Sequence, residues 1–504
     1  MTYPLGFDNE RYLREQSAAI LERMHQFNDK LYLEFGGKLL FDLHASRVLP
    51  GFDPNVKMRL LQQLREQADI ILCIYAGDIE RRKVRADFGI TYDADAMKLI
   101  DDLAERGLKV TAVVITRYAD QPAARIFKNK LERRNVRVYT HRAIPGYPSD
   151  IDRIVGDEGY GSNPRIETTK PLVVVTGPGP GSGKLATCLS QLYHDYRQGV
   201  AAGYAKFETF PIWNLPLKHP VNVAYEAATA EMRDVNVIDP HHMEAYGAMT
   251  VNYNRDVEAF PVLRLILEKI TGKESPYKSP TDMGVNRAGF GIIDDEACQH
   301  ASRQEIIRRH FRYAGEYMMG LVDAETVERS ERLMKAHHLV DVDRAVVRPA
   351  RLAAQDAEDK ARGHGGIFCG AALELHDGSI VTGKNSPLMH AASSLVLNVV
   401  KVLAGIPDES HLLDPSVIES IARLKRQVFN KDVSLDLDET LNALAISAAT
   451  DPAAQVAVEK LRELRGCEAH MTHIPPSGDE AGLRDLGINL TSDPQFSSRR
   501  LFVR

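Results

Sequence analysis

The stretch PLVVVTGPGPGSGKLATCLSQL (171–192) decides how the whole chain is read. Leu172 to Thr176 are apolar or β-branched without alternation, the pattern of a strand buried on both faces in a parallel sheet. Four glycines come next, Gly177, Gly179, Gly181 and Gly183, and from Leu185 the spacing predicts an amphipathic helix that stops at Gly199. A strand delivers the chain to the carboxyl edge of the sheet, glycines let backbone N–H groups turn inward, and the helix N-terminus adds partial positive charge. The turn therefore reads as an anion site. Lys184 would bring a full charge to phosphate oxygens, with Ser182 and Thr187 as hydroxyls for phosphate or a metal. The alternative is a tight turn that only connects strand to helix.

Against a Walker A loop the turn carries one extra residue counted from Gly177, and Leu185 stands where Ser or Thr normally binds magnesium. Nucleotide with magnesium is the cofactor the turn suggests, so carboxylates at strand ends are candidate metal ligands: Asp239 in VNVIDP, and Asp294 and Asp295 in GIIDDE. Each could equally cap a helix. Downstream, KFETFPIWNLPLKHPVNVAYEAATAEM (206–232) holds the only tryptophan, with Pro211, Pro216 and Pro220 excluding a regular helix or central strand over 211–220. Lys206, Glu208, Trp213, Lys218 and His219 form a candidate ligand wall; a loop packed on its own side chains is the alternative. His241 and His242 lack the spacing of a metalloprotease. Lys38, His44 and Arg47 are a further candidate cationic set, or charges on a surface turn.

Outward from 171–192, ADIILCIYA (68–76), KVTAVVIT (109–116) and VRVYTH (136–141) are further buried strands, separated by helices over 93–107 and 121–135. Such alternation predicts a parallel three-layer α/β domain. KLYLEFGGKLLFD (30–42) reads as two short strands around a turn. After residue 240 helical periodicity dominates to about 345, a charged stretch at 350–366 sets off the last third of the chain, and strands return in GAALELHD and SIVTG. The expected domains are 1–240 (α/β, with the glycine turn), 241–345 (mostly helical) and 346–504 (a smaller α/β domain).

The 504 residues are enough for about three domains. With 63 Lys+Arg against 69 Asp+Glu the net charge is −6, which argues against a dedicated nucleic-acid or anionic-membrane partner and leaves a phosphorylated small molecule, with a homo-oligomer open. Five scattered cysteines suggest neither disulfides nor a zinc knuckle, and MTYPLGFDNERYLREQSAAI has no signal-peptide pattern. A cytoplasmic protein is expected.

The words KLYLEFGGKLLFDLHASRVLPGF, DFGITYDADAMKLID, PGPGSGKLATCLSQLYHDYRQG, AGYAKFETFPIWNLPLKHPVN, YEAATAEMRDVNVIDP, VNYNRDVE and SPTDMGVN resemble an uncharacterised bacterial family, a domain of unknown function carried by full-length proteins of this size. The resemblance covers essentially the whole chain. Some members are labelled ATP-dependent peptidases, but this sequence has no nucleophile triad, no HExxH and no complete Walker A loop. Residues 365–405 are similar to the first half of the cytidine-deaminase fold: a GAAL-type strand, a DG turn, a second strand, then a helix start. His390 matches the zinc-ligand position, but Ala392 replaces the proton-shuttling glutamate and no PCxxC comes after it; Cys467, His470 and His473 have unsuitable spacing. The expectation is a deaminase-like topology without an active zinc site, or an unrelated α/β domain. Whether the protein is an enzyme is open: it binds a nucleotide or other phosphorylated small molecule at 177–184, or is a non-catalytic ligand sensor or scaffold.

Overall fold

The computed structural model describes residues 5–27, 30–85 and 88–498, in two compact units divided between Ser302 and Arg303. In the first unit seven strands run parallel: β1 (Lys30–Phe35), β2 (Ala68–Tyr75), β3 (Val110–Thr116), β4 (Val138–Thr140), β5 (Leu172–Thr176), β6 (Ala202–Phe207) and β7 (Gly284–Val285). Their order is β7-β6-β1-β5-β2-β3-β4. The helices that matter for the site are α1 (Asn9–Gln26), α2 (Tyr92–Glu105), α3 (Pro122–Glu132), α4 (Lys184–Arg197) and α5 (Asn254–Thr271).

Successive strand side chains point to opposite faces, which builds two apolar layers. Ile71, Cys73, Val173 and Val175 pack with Cys188, Leu189 and Leu192 of α4 and with Phe260, Leu263 and Ile266 of α5. Leu72, Ile74, Val113 and Ile115 meet Tyr92 and Ala96 of α2 and Phe127 and Leu131 of α3 on the other face. This is the three-layer parallel sheet that the uninterrupted apolar strands imply. α2 and α4 end just before Gly107 and Gly199, as expected.

Two readings change. The stretch 30–42 makes one strand, because β1 already has parallel partners on both sides, β5 and β6, and no edge remains for a hairpin mate. Beyond Gly37 the chain instead leads to Asp42, which caps the short helix Leu43–Val48 and pairs with the buried Lys57 at 2.7 Å. The stretch 350–366 is no mere separator: it continues α6 (Val347–Asp359), which buries Val347, Ala350 and Ala357 along one side. Its many charges lie on the other side and mask an amphipathic helix in the composition.

Within 241–345 the chain forms α5 and the helices Asp295–Met318 and Ala324–Ala336, but also the strand Val251–Tyr253 and the edge strand β7. The apolar side of α5 is part of the first unit's core. The second unit carries β8 (Gly370–Glu374), β9 (Ile380–Lys384), β10 (Glu468–Met471) and β11 (Asn489–Ser492) in the order β9-β8-β10-β11. β8 is antiparallel to β9 and β10, and β10 is parallel to β11. Helix α7 (Ala391–Ala404) buries Leu395, Val396, Val399 and Val400 in a core shared with this sheet. No helix among the described residues is long and apolar enough to cross a membrane.

Candidate functional site

β5 leads to α4 on one face of the sheet, while its neighbour β2 leads through the short helix Ala76–Glu80 to α2 on the other. Connections that leave adjacent strands toward opposite faces open a crevice at the carboxyl edge, where sheets of this kind take ligands. The glycine turn stands at that crevice. Gly183 caps α4 with φ +90°, and a Cβ there would lie 2.7 Å from the Thr116 side chain, so only glycine fits. At Gly177 a Cβ would stand 2.5 Å from both the Cys73 carbonyl oxygen and Ser182 Oγ.

Lys184 is the first residue of α4, and its Nζ reaches back to within 3.5 Å of the Gly179 carbonyl oxygen. A second cation stands beside it. Arg117, directly after β3, donates to the Gly181 carbonyl oxygen and lies 3.4 Å over the centre of the Tyr75 ring. The sequence reading missed it, although its place at the carboxyl end of an obvious strand was the available signal.

The two hydroxyls turn inward. Ser182 is 1% exposed and its Oγ has no hydrogen-bond partner among the described residues; Thr176 Oγ1, just below, also has none. Thr187 Oγ1 donates to the Gly183 carbonyl oxygen at 3.0 Å and accepts from Cys73 Sγ at 3.4 Å. Burial pushes the Cys73 thiol up to about 12, which keeps it protonated and inert at neutral pH. Leu185 packs against the core under the sheet, so the magnesium-binding position of a Walker A loop is occupied by an apolar, half-buried side chain.

Further along the same edge, past β1, the segment after β6 borders a cavity of about 250 Å³. Arg23 of α1, Glu208, Trp213, Asn252, Asp282 and Arg287 are among its walls. Trp213 is set by its indole N–H, which donates to the Asn286 carbonyl oxygen at 2.9 Å. Lys206 stands behind Glu208 at 2.6 Å and also pairs closely with Asp256, while Tyr204 donates to Glu34 at 2.8 Å. Burial opposes the Lys206 charge, but Asp256, Glu208 and Glu34 outweigh it and hold its pKa above the ordinary range. Burial also raises Glu208 above the usual carboxylate range in spite of Lys206. Asp256 is held below it, since Lys206 overrides its own burial.

Of the expected ligand wall, Glu208 and Trp213 thus face one cavity, with Lys206 behind. Lys218 is exposed, and His219 caps the helix Pro220–Ala228 with its Nε2 3.0 Å from Asp295 Oδ1. Asp239 is buried with one oxygen on the N–H groups of His241 and His242 and the other on Thr281. Asp294 accepts from the N–H of Ala297, and Asp295 from Gln299. These three carboxylates act as helix caps and local anchors. His44 is buried against the rings of Phe210 and Tyr225. Among the described residues no three His, Cys, Asp or Glu are grouped to hold a metal ion. Arg23, Asn252, Asp282 and Arg287 were not foreseen, because they enter the cavity from three distant segments: α1, the strand Val251–Tyr253, and the two sides of β7.

In the second unit the strand, DG turn, strand and helix start occur in the deaminase-like order, and His390 stands at the N-cap of α7. Its Nδ1 lies 2.9 Å from Asp479 Oδ2, whose other oxygen accepts from the N–H of Leu437. Ala392 is buried in the core. Of the later residues, Cys467 is near His376 and His470 bonds Thr491, while His473 is close enough to His390 and Asp479 to feel their charges. His473 is buried and its pKa drops to about 4 through desolvation. All five cysteines are free and buried.

Fold and edge geometry together define an α/β protein with a doubly wound parallel sheet in its first unit and a smaller four-stranded sheet in its second. Residues 5–338 match the N-terminal domain of the domain-of-unknown-function family DUF1846, and residues 342–502 match its C-terminal domain. The chain belongs to this family. It is 58% identical over 500 residues to a UPF0371 protein of Clostridium botulinum (strain Alaska E43 / Type E3), covering 99% of each chain. It is equally similar, at 58% over 500 residues and 99% of both chains, to a UPF0371 protein of Clostridium tetani (strain Massachusetts / E88). A UPF0371 protein of C. botulinum (strain Langeland / NCTC 10281 / Type F) is 59% identical over 500 residues, again with 99% of each covered.

Proposed function

We propose that the first unit binds a nucleotide or another phosphorylated small molecule through the turn Gly177–Lys184, in the cytoplasm. The observation that carries this reading is the placement of Lys184: it opens α4 directly after the positive-φ residues Gly181 and Gly183, at the switch point of the sheet. Backbone N–H groups, the helix dipole and one ammonium converge there, and such a convergence favours a phosphate dianion even in a protein of net charge −6. The test is thermal unfolding of the full chain with ATP, ADP, hexose phosphates and inorganic phosphate, with and without magnesium. At a hundredfold excess over Kd a bound ligand adds about 2.7 kcal/mol of stability. A rise in the unfolding temperature that Lys184→Ala abolishes supports the reading; equal responses in both proteins defeat it.

A second reading has its own support. Leu185 replaces the magnesium-binding hydroxyl and Ala392 the proton-shuttling glutamate, so a ligand sensor or scaffold without turnover accounts for both positions. Product analysis of any stabilising ligand after prolonged incubation separates the two: conversion requires an enzyme, and its absence with binding intact favours the sensor.

A further inference from the structure

The cavity beside Trp213 does not depend on the glycine turn, and its chemistry points to a different kind of ligand. Its walls carry both signs, Arg23 and Arg287 against Glu208 and Asp282, together with the Asn252 amide. Arg23 already donates to the Tyr277 hydroxyl and to the carbonyl oxygens of Asp282 and Met283. Asp282 accepts from Tyr246 and the Lys278 N–H, and the Asn252 oxygen accepts from the Tyr253 N–H, so a ligand meets their remaining protons and lone pairs. A ligand of one charge would be attracted by one set and repelled by the other. A neutral ligand whose hydroxyl groups each donate and accept can bond to the remaining positions of both sets.

The aromatic wall narrows the class. Because the Trp213 N–H is committed to the Asn286 carbonyl oxygen, the indole plane is fixed before any ligand arrives. Its ring offers a flat apolar surface of the kind that the C–H face of a sugar ring covers. Size narrows it further. At about 250 Å³ the cavity lies just below the roughly 300–1,000 Å³ of drug-sized pockets and suits one six-membered ring better than a nucleotide.

Glu208 adds a further property. Three carboxylates, Glu34, Glu208 and Asp256, act on the single ammonium of Lys206, and Glu208 is the one that reaches the cavity. Burial raises its pKa in spite of Lys206, which makes the neutral, donating form easier to reach than in an exposed carboxylate.

We propose that this cavity is a monosaccharide site, in which a pyranose ring stacks on Trp213 and its hydroxyls bond to Glu208, Asn252 and the arginines. Trp213 is the only tryptophan of the chain, so its emission reports on this site alone. The full chain is titrated with glucose, galactose and mannose to about 100 mM, a range that captures millimolar affinities. At least one hexose is expected to change the emission saturably. Glu208→Ala and, separately, Asn252→Ala should weaken that response about tenfold or more, the equivalent of one lost hydrogen bond to a polar wall. Lys184→Ala should leave it within about twofold, which keeps this result separate from the fate of the phosphate turn. No response to any hexose overturns the proposal, as does an unchanged affinity in both cavity variants. A saturable response to a zwitterionic amino acid such as glycine, with none to the sugars, overturns it too. If Glu208→Ala does not fold, Asn252→Ala alone decides.

Discussion

The Thr116 hydroxyl donates a 2.7 Å hydrogen bond to the carbonyl oxygen of Ser182, tying the end of β3 to the glycine turn after β5. β2 lies between those two strands, so the bond crosses the carboxyl edge of the sheet and holds the turn from the side. The turn is thereby part of the rigid sheet rather than a loose connection.

That rigidity makes Gly183 intolerant of substitution. Gly183→Ala adds a Cβ at φ +90° and 2.7 Å from Thr116. The left-handed backbone alone costs about 1–2 kcal/mol, and the overlap must push Thr116 or the turn aside. We expect a lower unfolding temperature and loss of any phosphate-dependent stabilisation. Gly181→Ala, with positive φ but open space around its Cβ, should cost only the backbone part. Thermal unfolding of both variants measures the difference.

The two cations at the turn should behave unequally. Among the described residues the Lys184 ammonium makes a single long hydrogen bond, whereas the Arg117 guanidinium already bonds the Gly181 carbonyl oxygen and covers Tyr75. Calorimetric titration with ADP should show Lys184→Ala losing at least about tenfold in affinity, roughly 1.4 kcal/mol, and Arg117→Ala losing less. The reverse ranking would make Arg117 the principal anion contact.

Asp195 is the buried anchor of α4. Its carboxylate receives the Tyr32 hydroxyl at 2.6 Å and Arg165 at 2.8 Å, with Lys30 at 3.2 Å. Removing one member of a buried charged group leaves the others uncompensated, a loss on the order of 3–5 kcal/mol. Asp195→Ala should therefore unfold the first unit many degrees earlier, while Lys269→Ala, which breaks the exposed pair with Asp152, should be near neutral.

Two buried histidines set an acid limit. Burial lowers both His141 and His473 to about 4 in the folded chain, against 6.5 for an unperturbed ring. The unfolded state then takes up protons first, so stability is full above about pH 6.5 and falls as the pH drops toward 4. Each site contributes on the order of a few kcal/mol to that loss. Unfolding temperatures recorded from about pH 7 to about pH 4.5 should decline, and His141→Gln and His473→Gln should each flatten the decline. A pH slope unaffected by either change would mean that neither ring is held neutral.

Local patterns were enough for much of this architecture. Leu172 to Thr176 and Ile70 to Ile74 are apolar without alternation, and only strands covered on both faces need that. Gly107 and Gly199 mark where α2 and α4 stop. The second strand expected after Gly37 fails for a reason absent from its own residues: β5 and β6 arrive from more than a hundred positions later and take both sides of β1. The charges of 350–366 concealed α6 because composition records how many charges a segment has, and not which side of a helix bears them.

The sequence by itself determined the α/β class, the strand-turn-helix around Lys184 and the absence of a hydroxyl at Leu185, since each depends on residues within a few positions of one another. Only the tertiary structure decided the rest. The strand order β7-β6-β1-β5-β2-β3-β4 is set by which apolar faces pack together across the whole chain. That order brings Arg117 to the glycine turn, gathers Arg23 of α1 and Arg287 beyond β7 around Trp213, and keeps Asp239 and Asp294 as helix caps and Asp295 beside His219. No local pattern encodes those meetings, because the burial that drives them is non-directional and belongs to the core as a whole.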